Sequence, residues 1–224
     1  MTHILALFLA MSWQASGSSV QEGAPKDVDV LRVVLEDRVF PDLIRDWEIK
    51  PTENIEIVVS NRTSHCVLPR SEREAQRLRQ DEDRMRRGEQ VNSPLFGPSP
   101  PSNQDLRLES GRTIPQEIVA RCLRASGGSV LPPLKIATPL AVVFERSGII
   151  EREFRKKEAA WLTRHPRSFG VVFIGQPVYS SDRQLAAVSF TTLSNGIGGG
   201  VFFCLLARHN ARWTVMWEET VLIE

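Results

Sequence analysis

The C-terminal quarter of the chain constrains the fold most. Four runs rich in β-branched and aromatic residues follow one another there, at 171–174, 185–193, 201–207 and 213–223. Turn-forming clusters at 175–182, 194–200 and 208–212 separate them. Connections this short join antiparallel neighbours, so the segment reads as a β-meander. Alternation places Ala186, Val188 and Phe190 on one face of the second run, and Val201, Phe203 and Leu205 on one face of the third. In the fourth, Trp213, Val215 and Trp217 share a face by the same period of two.

Upstream, Gly148 precedes a helical pattern in which Ile150, Phe154 and Trp161 fall on one face, with Glu151 and Glu153 in its first turn. Pro166 stops it just after His165. Residues 140–144 are a compact apolar strand, and Ile114–Leu123 reads as a short helix with Pro115 in its first turn. Near the start, Leu31, Val34 and Leu35 recur at helical spacing within 28–44, where Pro41 ends or kinks the helix. Residues 55–59 alternate as a strand. The expected architecture is α+β: an antiparallel meander of about four strands, with one or two earlier strands, packed against helices, including the Ile150–Trp161 helix on one face.

The segment 71–88 carries six arginines among acids of mixed order and reads as a solvated helix. Pro94, Pro98, Pro100 and Pro101 then mark a loop or linker. The organisation expected is a leader at 1–17, a helix and strand at 18–70, a charged and Pro-rich excursion at 71–103, and the main α+β region at 104–224 within the same domain.

The leader reading rests on the uncharged apolar run from Ile4 to Met11, followed by Ala15-Ser16-Gly17 as a small-x-small cleavage pattern before Ser18. The run is about half the roughly 20 apolar residues that a spanning helix needs. A secreted or periplasmic protein with no transmembrane segment after leader removal is therefore expected. With 28 basic and 27 acidic residues the net charge is +1, which leaves no electrostatic footprint for nucleic acid.

Three cysteines allow one bridge. Cys66 and Cys122 sit in loop-like surroundings and are the expected pair, while Cys204 lies in an apolar run and reads as buried. No zinc spacing occurs. His65-Cys66 is the one adjacent His–Cys pair, with His165 or His209 as distant bases, but a loop half-cystine is the better account. Asn195-Gly196-Ile197-Gly198-Gly199-Gly200 is followed by a strand, so it reads as a hairpin with close backbone approach rather than a phosphate loop. Glu218 and Glu219 point to opposite faces of a strand, and one of them in a sheet concavity is the best acid–base candidate. Trp161, Trp213 and Trp217 read as core.

Trp161-x-x-x-His165-Pro166-x-Ser168-x-Gly170, Gly198-Gly199-Gly200 and Arg212-Trp213-Thr214-Val215 together resemble a group of exported bacterial proteins of unassigned function. The resemblance covers about residues 145–224, and 27–60 loosely; the excursion at 71–103 departs from it. It implies bacterial export and an α+β fold, and no activity. In outline the meander with its helix is similar to nuclear-transport-factor-like and cystatin-like architectures, which host enzymes and binding proteins alike. No catalytic, cofactor-binding or metal residue is assigned, and no cofactor. A non-catalytic module binding a small ligand or a protein is the leading expectation; a small hydrolase or isomerase using a carboxylate is the alternative.

Overall fold

A computed structural model describes residues 25–46, 48–50, 54–71, 76, 79–80, 83–84, 86–87, 105–131, 134–154, 159–194 and 198–223. The leader, the Pro-rich run at 94–102 and residues 195–197 of the glycine-rich turn lie outside the described residues, as does much of the charged segment. The fold is α+β, built on a mixed seven-stranded sheet.

Strands β1 (Glu56–Ser60), β4 (Ala141–Glu145), β5 (Ser168–Ile174), β7 (Leu185–Ser194), β8 (Gly199–His209) and β9 (Arg212–Ile223) run in the order β4-β1-β5-β7-β8-β9. The expected meander is β5-β7-β8-β9, antiparallel throughout. β6 (Val178–Tyr179) pairs with β7 beyond Gly175-Gln176-Pro177, where β5 ends. A small hairpin, β2 (Leu106–Arg107) with β3 (Thr113–Ile114), stands apart. The two early strands were expected, but their direction was not: β1 runs parallel to both β4 and β5. Parallel neighbours need a long crossover. Between β4 and β5 that crossover is the helical segment α4 (Ser147–Ile149), a π turn (Ile150–Phe154) and α5 (Ala159–Arg164).

Both faces of the sheet are buried, which explains apolar runs that do not alternate cleanly. On one face Ile57, Val59, Val172, Val188, Phe190 and Leu206 pack against Val30, Leu31, Val34, Leu35, Val39 and Phe40 of the N-terminal helix. This helix comprises α1 (Pro25–Val34), a π turn (Leu35–Val39) and α2 (Phe40–Asp46). Pro41 does not end it. The Phe40 N–H donates to Leu35 O, a wider loop that falls just ahead of the proline and leaves room for its ring.

The opposite face is covered in two pieces. Val58, Val171 and Phe173 meet Ile150, Phe154 and Trp161, as the spacing of that helix predicted. Ala187, Phe203 and Leu205 meet Leu106, Leu108, Ile114, Ile118 and Val119, from the hairpin and α3 (Gln116–Arg124). Thus the Ile150–Trp161 helix is one of three covers rather than the main one. Pro115 is the residue before α3, not inside its first turn.

The Cys66–Cys122 disulfide forms as expected, with Cα atoms 5.2 Å apart. Cys122 lies within α3 and is buried, so it is not a loop residue. The bridge fastens α3 to the loop after β1. Gly127 completes the fastening: its φ is +70°, and a Cβ there would stand 2.5 Å from the Ser64 carbonyl carbon. Gly199 permits the hairpin approach, since its Cβ would meet Thr192 O at 2.2 Å. Of the charged segment, Gln76, Arg79, Asp83 and Arg86 are helical and exposed. Arg79 forms an ion pair with Glu109, and Ser71 bridges Leu108, so this part rests beside the β2–β3 hairpin.

Gly127→Ala combines left-handed strain with a backbone clash. It is expected to lower unfolding free energy by about 2 kcal/mol or more in urea titration. A loss no larger than that of Gly128→Ala, where φ is +88° but no atom lies within 4 Å, would show that the close approach is not needed.

Candidate functional site

The surface at the start of the N-terminal helix brings together Asp27, Asp29, Tyr179, Arg183 and Arg208. Tyr179 on β6 donates its hydroxyl to Asp27 Oδ1 at 2.6 Å. Burial first, then this hydrogen bond and the Asp27 charge, push the phenol well above its ordinary pKa, so it stays a neutral donor. The pair forms a ridge with a shallow notch on either side.

One notch, about 10 Å³, is mainly apolar and is lined by Val28, Leu31, Val130, Leu131 and Pro177, with Asp27, Thr63, Ser129 and Gln176. It lies just beyond the carboxyl ends of parallel β1 and β5, where the loops diverge. Its walls are tightly tied: Thr63 N–H donates to Ser129 O, Ser129 N–H to Thr63 Oγ1, and Gly127 N–H to Gln176 Oε1.

The other notch, about 20 Å³, is lined by Asp29, Tyr179, Arg183, Arg208, Ala211 and Trp213. Arg183 lies 5.8 Å from the Tyr179 ring centroid, and Arg208 5.9 Å from that of Trp213. The two rings are themselves 5.8 Å apart. Local structure positions each arginine. Arg183 sits at φ 55° in a turn held by Asp182, which accepts from Ser180 Oγ at 2.6 Å and Gln184 N–H at 3.0 Å. Those bonds, the Ser180 hydroxyl first, hold the Asp182 carboxyl below its ordinary pKa. Arg208 is the penultimate residue of β8, beside the Asn210-Ala211 turn with φ 47° and 66°. That is the twist a two-residue hairpin requires, and a non-glycine Ala211 accepts it while its methyl forms one wall of the notch.

Two further clusters lie partly buried against the sheet. His165 Nδ1 donates to Glu56 Oε1 at 2.6 Å, and Glu145 Oε2 lies 3.5 Å from Nε2. Arg164 reaches Glu145 and Glu153 at 3.6 and 3.3 Å, and Arg152 reaches Glu153 at 2.9 Å. Trp161 packs on the His165 ring with centroids 4.4 Å apart. Here Glu153, expected only to favour a helix start, is a buried carboxylate held between two arginines. Glu56 and Glu145 had no signal in the sequence, since the parallel pairing of β1 with β4 brings them to a histidine more than a hundred residues from Glu56.

The second cluster lies on the other face. Cys204 Sγ is 3.7 Å from Glu218 Oε2. Burial, then the Glu218 charge, raise the thiol's pKa, so Cys204 is an un-ionised thiol and a poor nucleophile. Burial, then Asp42, raise Glu218 as well, against the pull of Arg38.

The bulge at Met216 decides this placement. Leu205 pairs with Trp217 while Leu206 pairs with Val215. Trp213 and Val215 therefore face the N-terminal helix, and Trp217 turns to the other core, contrary to strict alternation. Glu218 follows onto the N-terminal helix side. Glu219 faces away, bound by Ser110 Oγ at 2.7 Å and Arg112 at 3.3 Å.

The remaining sequence candidates are not brought together. Cys66 is bonded and His65 is exposed beside Ala125 O, so no cysteine nucleophile forms there. Trp161 is core; Trp213 is core on one side and notch wall on the other. Among the described residues no group of three or more His, Cys, Asp or Glu is placed to hold a metal, and no helix is long and apolar enough to cross a membrane. Sequence reasoning passed over Tyr179, Arg183 and Arg208. An arginine beside each turn and an aromatic in the adjoining strand were the available signal. Compared with protein-family models, curated proteins and solved structures, the chain matches none.

Glu218 makes a testable contribution. Its folded pKa is raised, so the native state binds its proton more readily than the unfolded chain does, and stability falls as pH rises above the ordinary 4.5. Glu218→Gln is expected to raise the thermal midpoint at pH 7, with the gain over wild type shrinking toward about pH 4. A gain that is absent at pH 7, or that grows on acidification, would contradict the burial account.

Proposed function

We propose that the chain is an exported, non-catalytic binding module that engages a protein segment or small ligand at the start of the N-terminal helix. One observation carries the reading: an apolar notch and an arginine-flanked aromatic notch meet at the Asp27–Tyr179 ridge. Apolar surface beside rigid aromatic and guanidinium groups is the composition of a recognition hot spot. The Cys66–Cys122 bridge supports export, since such bonds persist in oxidising compartments. The same proposal places the chain beside the exported bacterial proteins that its 145–224 segment resembles.

Two measurements test it. A peptide library displayed on phage, selected on the wild-type protein, is expected to yield peptides whose binding weakens about tenfold or more with Val130→Asp or Arg208→Ala. Selected peptides indifferent to both substitutions would place binding elsewhere. The mass of the protein recovered from the periplasm or medium of its expressing cell is expected to correspond to a chain beginning at Ser18. An intact Met1 in the cytoplasmic fraction would overturn export.

A second reading, a small hydrolase or isomerase, is favoured by Glu218 alone, a half-buried carboxylate whose raised pKa suits a proton carrier. Turnover of a chromogenic ester or lactone panel, lost in Glu218→Gln, is the result that would carry it.

A further inference from the structure

We propose that the notch between Tyr179 and Trp213 is a carboxylate subsite, with Arg208 as its anchor and Arg183 as its outer clamp. This deepens the binding reading, and rests on it for the identity of the partner but not for the binding of carboxylate itself.

The charges around the notch are Arg183, Arg208 and Asp29 in its wall, with Asp27 and Arg32 beside it. Asp27 is committed to the Tyr179 hydroxyl at 2.6 Å, and Asp29 is 3.9 Å from Arg32. Those three charges leave Arg183 and Arg208. Among the described residues neither has a carboxylate within ion-pair distance, and the Arg208 Nε–H is buried without an acceptor. An acceptor entering the notch meets the two arginines that line it, with no paired carboxylate to displace from either.

Each arginine has an aromatic neighbour in the notch. Each guanidinium lies within cation–π reach of a ring, 5.8 Å from the Tyr179 centroid for Arg183 and 5.9 Å from that of Trp213 for Arg208, which favours its staying beside the notch. A planar guanidinium fork matches two oxygens in a plane. Size argues the same way: about 20 Å³ is enough for one or two water-sized atoms, hence the two oxygens of a carboxylate. A dianionic phosphate is larger and would be repelled more strongly by Asp27 and Asp29. The carboxylate comes from an Asp or Glu side chain or from a chain's C-terminus, with the neighbouring apolar notch taking an adjacent apolar side chain.

The probe is acetate, titrated into the full mature protein at constant ionic strength, with acetamide as the neutral control. The readouts are the Trp213 indole N–H and the arginine Nε–H resonances in nitrogen–proton correlation spectra, Trp213 being assigned by Trp213→Phe. Acetate is expected to shift the Trp213 and Arg208 signals saturably and acetamide not to. Arg208→Ala and, separately, the exposed Arg183→Ala are expected to weaken acetate about tenfold each. Because Arg183 is a surface turn residue, its variant keeps the test valid if Arg208→Ala folds poorly. An unsaturable response, an equal response to acetamide, or acetate affinity unchanged in both variants overturns the subsite. Two peptides then separate the sources: one with an internal Glu and amidated end, one with no acid but a free C-terminus. Acetate binding alongside selected peptides indifferent to Arg208→Ala would retain the subsite and sink its role in partner recognition.

Discussion

A sheet that is apolar on both sides must be covered twice, and this requirement organises the whole chain. Ile57 and Val59 of β1 face the N-terminal helix while Val58 faces Ile150 and Trp161. One central strand therefore depends on two helical segments about a hundred residues apart in the sequence. The parallel pairing of β1 with both β4 and β5 follows, because the helix that covers the second face is itself the crossover that brings β5 back in the same direction. The β2–β3 hairpin and α3 close the remaining half of that face, and the disulfide with Gly127 holds them to the loop after β1.

Covering both faces also sorts the polar groups. Buried charged groups on the covered faces end up paired, as with His165 against Glu56 and Glu145, or Glu153 reached by the partly exposed Arg152 and Arg164. Such pairs contribute little net stability over a well-packed apolar contact, but an unpaired buried member would be costly. Reactive chemistry at Cys204 is muted by the same burial. What remains open to a partner is the rim, where strands end and turns expose their side chains. The Asp27–Tyr179 ridge stands there because β6 breaks away from β5 after Gly175 and carries Tyr179 up to the first turn of the helix.

Much of the fold was legible because it depends on local order. The meander, the helical face of Ile150, Phe154 and Trp161, and the buried character of Cys204 all arise from periodicity in short windows. The site was mostly illegible. Tyr179, Arg183, Arg208 and Asp27 are separated by up to 181 positions, and none belongs to a spaced motif. The bulge at Met216 is similarly silent: one extra residue on β9 reverses the facing of Trp217 and Glu218, and local alternation predicts the opposite.

By itself, the order of residues determined the main strands and helices and most of their apolar faces, since these follow from side-chain period and turn chemistry along neighbouring positions. It also made Cys66 and Cys122 a plausible pair. Only the tertiary structure decided strand direction at β1, the side on which Glu218 and Trp217 lie, the partners of Glu56 and Glu153, and the meeting of two arginines with two aromatic rings. Those outcomes depend on how distant segments share one sheet, and the energy that selects among them appears only when both faces are covered at once.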